Sequence, residues 1–294
     1  MPLNHYLCCP KTDGYAILIM PHYDIRELQL HLLKMLLAFD KICREHDLHY
    51  YILFGTMLGA VRHKGFIPWD DDIDVGVPRG EYQLLIEHAK DWFPEPFEFL
   101  CYETNPGFVF GFGKMQDAGT TIIERSHIPF LGGAYIDIFP IDGISSCALM
   151  QRVQYLRYSY FKKVCYLLQR DPYKHGHGCS SWIPLLTRKL YTAETAMRGF
   201  RKVMATYSYD ESTYVSALND GMTSVMPKSV LGTPTPIEFE GHTVMGVEHP
   251  DDYLSREFGD YMRIPDEKHR ISHNFFYLDL HTPYREAGSL TNRL

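Results

Sequence analysis

The sequence has no apolar run long enough to cross a bilayer. The stretch Tyr15 to Met20 falls well short of the roughly 20 residues a helical span needs, and it lacks the basic leader and cleavage site of a secretory signal. There is no basic excess either: the formal charge is -7 and the pI about 6.1. That balance argues against a protein that grips a nucleic-acid polymer by neutralising many phosphates, so any bound phosphate should be held locally. The seven cysteines show no CxxC pairing, and an odd, scattered set fits reduced thiols better than a disulfide framework. One stretch, "HGHGC" from His175 to Cys179, has metal-ligand residue types but no second ligand pair at zinc-site spacing, and reads as a Gly-rich surface loop. Repeats and low-complexity linkers are absent as well, so the parts of the chain should pack directly on one another.

What is present is a globular composition, 45% hydrophobic and 22% charged over 294 residues, enough for a sizeable core. After Asp24, apolar residues at Ile25, Leu28, Leu32, Leu36, Phe39 and Cys43 recur with helical period, and Asp24 with Glu27 makes a capping box. "YYILF" then reads as a strand ended by Gly55, running into a short helix "GTMLGAVR". "EYQLLIEHAKDWF" is a second helix, and "FEFLCYE", "FVFGFGKMQ", "TIIER" and "AYIDIF" read as successive strands between Pro, Gly and Asp turns. From Ser146 the pattern turns helical, in "MQRVQYLRYSYFKKVCYLLQR" and "TRKLYTAETAMRGFRKVMATY", with a hairpin in "IEFEGHTVMGV" that turns at Glu240-Gly241. The expected fold is α+β: a mixed sheet flanked by helices over residues 1–145, with a helical second half, 146–294, packed on it.

The chemically pointed segment is "WDDDIDVGVPR", Trp69 to Arg79. In an extended strand Asp70, Asp72 and Asp74 share one face, while Asp71 joins Ile73 and Val75 on the apolar face. Two unit charges about 4 Å apart repel by roughly 4 kcal/mol at an effective dielectric near 20, so the cluster must be solvated, partly protonated or neutralised by a cation. Hard carboxylate oxygens at this spacing suit Mg²⁺ or Mn²⁺. An exposed acidic edge strand is the bland alternative. Three further features weigh against it. Gly55-Thr56 opens a helix, where amide N–H groups and the helix dipole can hold phosphate. Asp137 stands among apolar residues in "YIDIFP", where an unpaired charge is costly. Lys114, in "FGKMQDAGT", adds an isolated cation on another strand. Together these describe a metal–phosphate site.

The ordered segments "YYILFGTMLGAVRHKGFIPWDDDIDVGVPR", "KMQDAGT", "YIDIFPIDG" and "YLSREFGDYMRIPDEKHRISHNFFYLDL" resemble the LicD family of phosphocholine transferases. That family is related to the fukutin group within the nucleotidyltransferase-fold superfamily, and the likeness runs from about Glu27 to Leu280. The resemblance implies a nucleotidyltransferase-like sheet, with Gly55 and Thr56 as the phosphate-holding turn, Asp72 and Asp74 as paired metal ligands, Asp137 as the third acid and Asp70 as a further ligand. Arg62, Arg79, Lys114, Arg270 and His273 fall in family-like motifs and are of a type to bind phosphate or nucleotide; salt-bridged structural roles are the alternative for each. Trp69 is a candidate choline contact through cation–π attraction, against ordinary core packing.

The activity the resemblance implies is metal-dependent transfer of an alcohol phosphate, phosphocholine from CDP-choline first among them. The acceptor would be a hydroxyl of a surface-glycan or teichoic-acid precursor, and CMP would be released. Asp137 would hold a second metal or accept the hydroxyl proton. A cytoplasmic enzyme is expected, without a transmembrane segment and with peripheral contact at the inner face of the membrane. Two other readings stay open: a metal-dependent sugar-nucleotide glycosyltransferase, and a non-catalytic family member that binds a partner or glycan.

Overall fold

The apolar spacing after Asp24 produces α1 (Ile25–Glu45), whose Leu28, Leu32, Leu36, Phe39 and Cys43 are all buried. In this computed structural model, which describes residues 23–124, 130–173, 176–218, 221–270, 272 and 275–287, α1 lies against the central sheet. Its Asp24 cap accepts a hydrogen bond from Arg26 N, while the expected box partner Glu27 instead pairs with His281.

The next strand is shorter than its sequence suggests. β1 covers only Tyr51–Ile52, and α2 (Phe54–His63) already includes Gly55. There follow β2 (Asp74–Pro78), α3 (Arg79–Glu87), β3 (Phe97–Leu100), β4 (Gly113–Ile123) and β5 (Gly132–Ile144). α3 stops before the expected "HAKDWF", with His88 as its C-cap; in the turn that follows, the Trp92 ring stacks between those of His46 and His88, at centroid distances of 3.9 and 4.3 Å. The expected strands "FVFGFGKMQ" and "TIIER" prove to be one strand, β4, with a register shift between Asp117 and Ile122. The residues before it are not strand; Phe108, Phe110 and Phe112 pack on one another instead.

The second half contains α4 (Ala148–Gln169), α5 (Trp182–Leu190), α6 (Ala193–Met204), β6 (Tyr214–Ser216), β7 (Met226–Pro227), α7 (Lys228–Leu231), β8 (Thr235–Phe239), β9 (His242–Gly246), α8 (Pro250–Phe258) and β10 (Tyr277–Asp279). The helical run expected from Thr187 to Tyr207 is two helices, since Thr192 caps α6 in a reciprocal box with Thr195. The β8–β9 hairpin turns at Glu240 and Gly241, both at positive φ, as expected.

The eight-stranded mixed sheet has the order β1-β2-β5-β4-β10, with β3 on β4, and β6 on both β5 and β7. β2 and β5 are parallel; the other named pairs are antiparallel. β5 is central and buried on both faces almost throughout. One core joins α1, α2 and the sheet, and a second, around Tyr158, Met197 and Phe200, lies between α4 and α6. No helix among the described residues is long and apolar enough to cross a membrane.

Candidate active site

Register decides which charged residues meet. Asp74 of β2 is the direct partner of Asp137 of β5, and Asp137 is in turn the direct partner of Lys114 of β4. Directly paired residues project on the same face of a sheet, so Asp74, Asp137 and Lys114 form one row across three strands. Asp137 N donates to Ile73 O at 2.9 Å, which ties the acidic segment to β5 immediately before β2 begins.

That segment is less regular than a strand. Regular pairing begins only at Asp74, so the alternation expected of Asp70, Asp72 and Asp74 does not extend back through residues 70–73. Oxygens from Asp70, Asp71 and Asp72 instead come within 4.8 Å of one another. Asp71, expected on the apolar side, is indeed buried, yet it shares this cluster and accepts a hydrogen bond from Tyr23 Oη at 2.9 Å. Burial, and then the Asp71 charge, push the Tyr23 phenol well above its usual range, so it remains a donor.

The start of α2 faces the cluster. A Cβ on Gly55 would sit 2.7 Å from Asp70 Oδ2, an approach only glycine allows without moving the carboxylate. Its neighbour Phe54 is held at φ 45°, an uncommon conformation for a bulky residue and a local store of strain. Phe54 N donates to Tyr253 Oη at 3.0 Å, and the ring packs edge-on against Phe139. Thr56 Oγ1 accepts from Asp74 N at 2.9 Å. The two residues of the Gly-Thr turn therefore meet both ends of the acidic segment, Gly55 at Asp70 and Thr56 at Asp74.

Lys114 is not the isolated cation that the sequence suggests. Its Nζ lies 2.6 Å from Glu124 Oε1, 3.5 Å from Asp137 Oδ1 and 3.2 Å from the centroid of the Tyr135 ring. The buried Tyr135 phenol is pushed well up, by desolvation first and then by the charges of Glu124 and Asp137, with Asp72 contributing. Tyr135 and Glu124 thus belong to the site although neither was singled out from sequence. Tyr135 stands two residues before Asp137 on the same strand, so face parity carries its signal; Glu124 has no local one.

The remaining candidates are dispersed. Arg62 is at the opposite end of α2, where it donates to Tyr261 O at 2.7 Å. Arg79 makes a bidentate pair with the buried Asp142, both contacts at 2.6 Å, at the far end of β2 from Asp74; its side chain is committed to the fold. Arg270 lies over the Trp69 ring at 4.4 Å, so the aromatic face considered for a choline group meets a cation of the chain itself. His273 lies outside the described residues, as does His175 of the "HGHGC" stretch.

Clustered carboxylate oxygens beside a helix N-terminus are hard donors next to a partial positive charge, a donor set that suits a divalent ion bridging to phosphate. Residues 47–170 match the family model described as LicD/FKTN/FKRP, nucleotidyltransferase domain. Over 270 aligned residues the chain is 28% identical to the lipopolysaccharide cholinephosphotransferase LicD of Haemophilus influenzae, covering 87% of this chain and 97% of that protein. An uncharacterised protein of Rickettsia prowazekii is 42% identical over 91 residues, 31% of this chain and 32% of its own. A counterpart from Rickettsia typhi is 42% identical over 56 residues, 19% of this chain and 18% of its own.

Proposed function

The chain belongs to the LicD family, and from that premise we propose that it is a phosphocholine-type transferase acting on a surface glycan. The donor in this reading is a CDP-linked alcohol, CDP-choline first. An acceptor hydroxyl oxygen forms a bond to the distal phosphorus, the bond from that phosphorus to the bridging oxygen breaks, and CMP leaves with the electron pair. The acceptor is a lipopolysaccharide or teichoic-acid precursor.

Asp72 and Asp74, with Asp70 beside them and Asp71 in the same oxygen cluster, are the proposed ligands for Mg²⁺ or Mn²⁺. When bound, such an ion supplies charge neutralisation for the diphosphate as CMP departs. Gly55 and Thr56 present the first turn of α2 to the donor phosphates, where the dipole favours negative charge. Asp137 is the third acid, as a further ligand or as the acceptor of the hydroxyl proton, and Lys114 next to it fixes its orientation. The sheet around these residues is read as a nucleotidyltransferase-like core spanning 1–145, and residues 146–294 complete the acceptor side.

The observation that carries this reading is the close approach of the Asp70 carboxylate to Gly55, near enough to leave no room for a Cβ, which brings clustered acid oxygens up to the first turn of α2. The test is incubation of the purified protein with Mg²⁺, a glycan acceptor and CDP-choline, CDP-ribitol, CDP-glycerol or CDP-ethanolamine, with UDP-sugars as a separate arm. CMP release with a matching mass increase on the acceptor is expected. Transfer from a UDP-sugar with no CDP-alcohol turnover overturns the reading.

A further inference from the structure

Charge is divided very unevenly along this chain. Residues 148–204, from the start of α4 to the end of α6 with their connections, hold eleven Lys and Arg against two Asp and Glu, although the whole chain carries -7. The same layer exposes apolar side chains that the fold does not use. At about 100° per residue, Leu149, Val153, Leu156 and Tyr160 fall on one narrow stripe of α4, and all four are exposed. Arg152 and Lys163 border that stripe on one side and Arg157 on the other, and all three are exposed.

α5 is inside out. The residues it buries against the protein are Pro184 and Thr187, while Trp182 is 71% exposed and Leu190 66%. A surface helix of a globular protein normally turns its apolar stripe inward, so this one is shaped for something outside the fold. The two stripes adjoin: Tyr160 Oη of α4 is 2.7 Å from Tyr191 Oη at the end of α5, and Arg188 of α5 donates to the α4 C-terminal carbonyls of Leu168 and Arg170.

An apolar stripe rimmed by cations is the chemistry of an interface with anionic lipid. We propose that the α4–α5 face docks peripherally on the surface of a bilayer that contains anionic phospholipid. Trp182, Leu186 and Leu156 enter the boundary between headgroups and acyl chains, and Arg152, Arg157 and Lys189 meet the lipid phosphates. A second copy of the chain suits this face less well, because a two-fold contact would set two strongly cationic surfaces against each other. Neither helix contributes a residue to the carboxylate cluster.

Cosedimentation of the full chain with vesicles tests the proposal, comparing phosphatidylcholine alone with phosphatidylcholine containing phosphatidylglycerol. Binding to the anionic vesicles only is expected, weakening as salt screens the charges, with a blue shift of Trp182 fluorescence that a Trp182→Phe control removes. The Arg157→Glu/Lys189→Glu variant should lose at least about fivefold in partitioning for each charge removed, and Trp182→Ser/Leu186→Ser should abolish insertion. All four positions are exposed, so the circular dichroism spectrum should stay unchanged in both variants. No vesicle binding by the full chain, equal binding to neutral vesicles, or indifference to both variants overturns the proposal. So does a dimer in sedimentation velocity that these variants dissociate in a chain that ignores lipid.

Discussion

Gly55 and Asp70 meet so closely that a methyl group on Gly55 would lie 2.7 Å from Asp70 Oδ2. The atom met is the far end of a side chain that can rotate, so a Gly55→Ala variant is expected to fold with little loss of stability while Asp70 swings away from its neighbours. The effect should appear in the site: Mn²⁺ affinity, measured by calorimetry, falls about 10- to 100-fold, the range seen when a ligand loses its support. Unchanged affinity removes the assignment of this corner.

Asp70, Asp71 and Asp72 bring carboxylate oxygens within 4.8 Å of one another, a concentration of like charge that a bound divalent cation would relieve. Mg²⁺ at about 100 times its dissociation constant should stabilise the protein by about 2.7 kcal/mol, read as a rise in thermal midpoint. Asp72→Asn and Asp74→Asn should each lose that rise and all transfer activity while keeping the native circular dichroism spectrum. Full transfer by either variant ends the proposed mechanism.

The buried Asp142 and the partly exposed Arg79 form a bidentate pair, and burial, only partly offset by Arg79, raises the Asp142 pKa. Arg79→Met leaves that acid uncompensated and should cost about 3–5 kcal/mol in urea denaturation, whereas Arg79→Met/Asp142→Leu should recover most of the loss. Donor affinity in the double variant should stay near that of the native protein. A large selective rise in KM for the donor would return Arg79 to the binding site.

Glu240, at the tip of the β8–β9 hairpin, accepts from Arg26 at 2.5 and 3.1 Å and from Phe66 N. The Arg26 hydrogen bond holds its carboxyl below the ordinary value of 4.5. A depressed folded-state pKa stabilises the protein above the unfolded value, and that contribution is lost as pH falls through the folded one. Glu240→Gln should therefore be less stable than the native protein at pH 7 by at most about 1 kcal/mol, since Arg26 is half exposed. The gap should close below the carboxylate range. A gap that is constant with pH excludes the ionic contribution.

Much of the candidate site was legible as a set of neighbouring residues because its signals are local. Helical spacing after Asp24 gave α1, and the pair Glu240-Gly241 gave the hairpin. The order Gly-Thr, then the acids, then Asp137 carried both the resemblance and the principal candidates. The dispersed arginines were not legible, because a cation in a family-like motif has the same sequence signature whether it faces phosphate or, like Arg79, a buried aspartate. Strand limits failed where packing outweighed propensity, as with the aromatic cluster ahead of β4 and the early start of α2.

The amino-acid order by itself determined the types of chemistry available: acids two residues apart, a glycine where a helix opens, and a cationic helical layer in an acidic chain. Periodicity and residue type are properties of a segment, so they can be read one segment at a time. Only the tertiary structure decided that Lys114 pairs with Glu124 and Asp137, that Asp71 joins the acid cluster, and that α5 turns its apolar side outward. Those outcomes depend on which strand lies beside which and in what register, and pairing across ten residues, as for Lys114 with Glu124, or 23, as for Lys114 with Asp137, leaves no trace in either partner's local sequence.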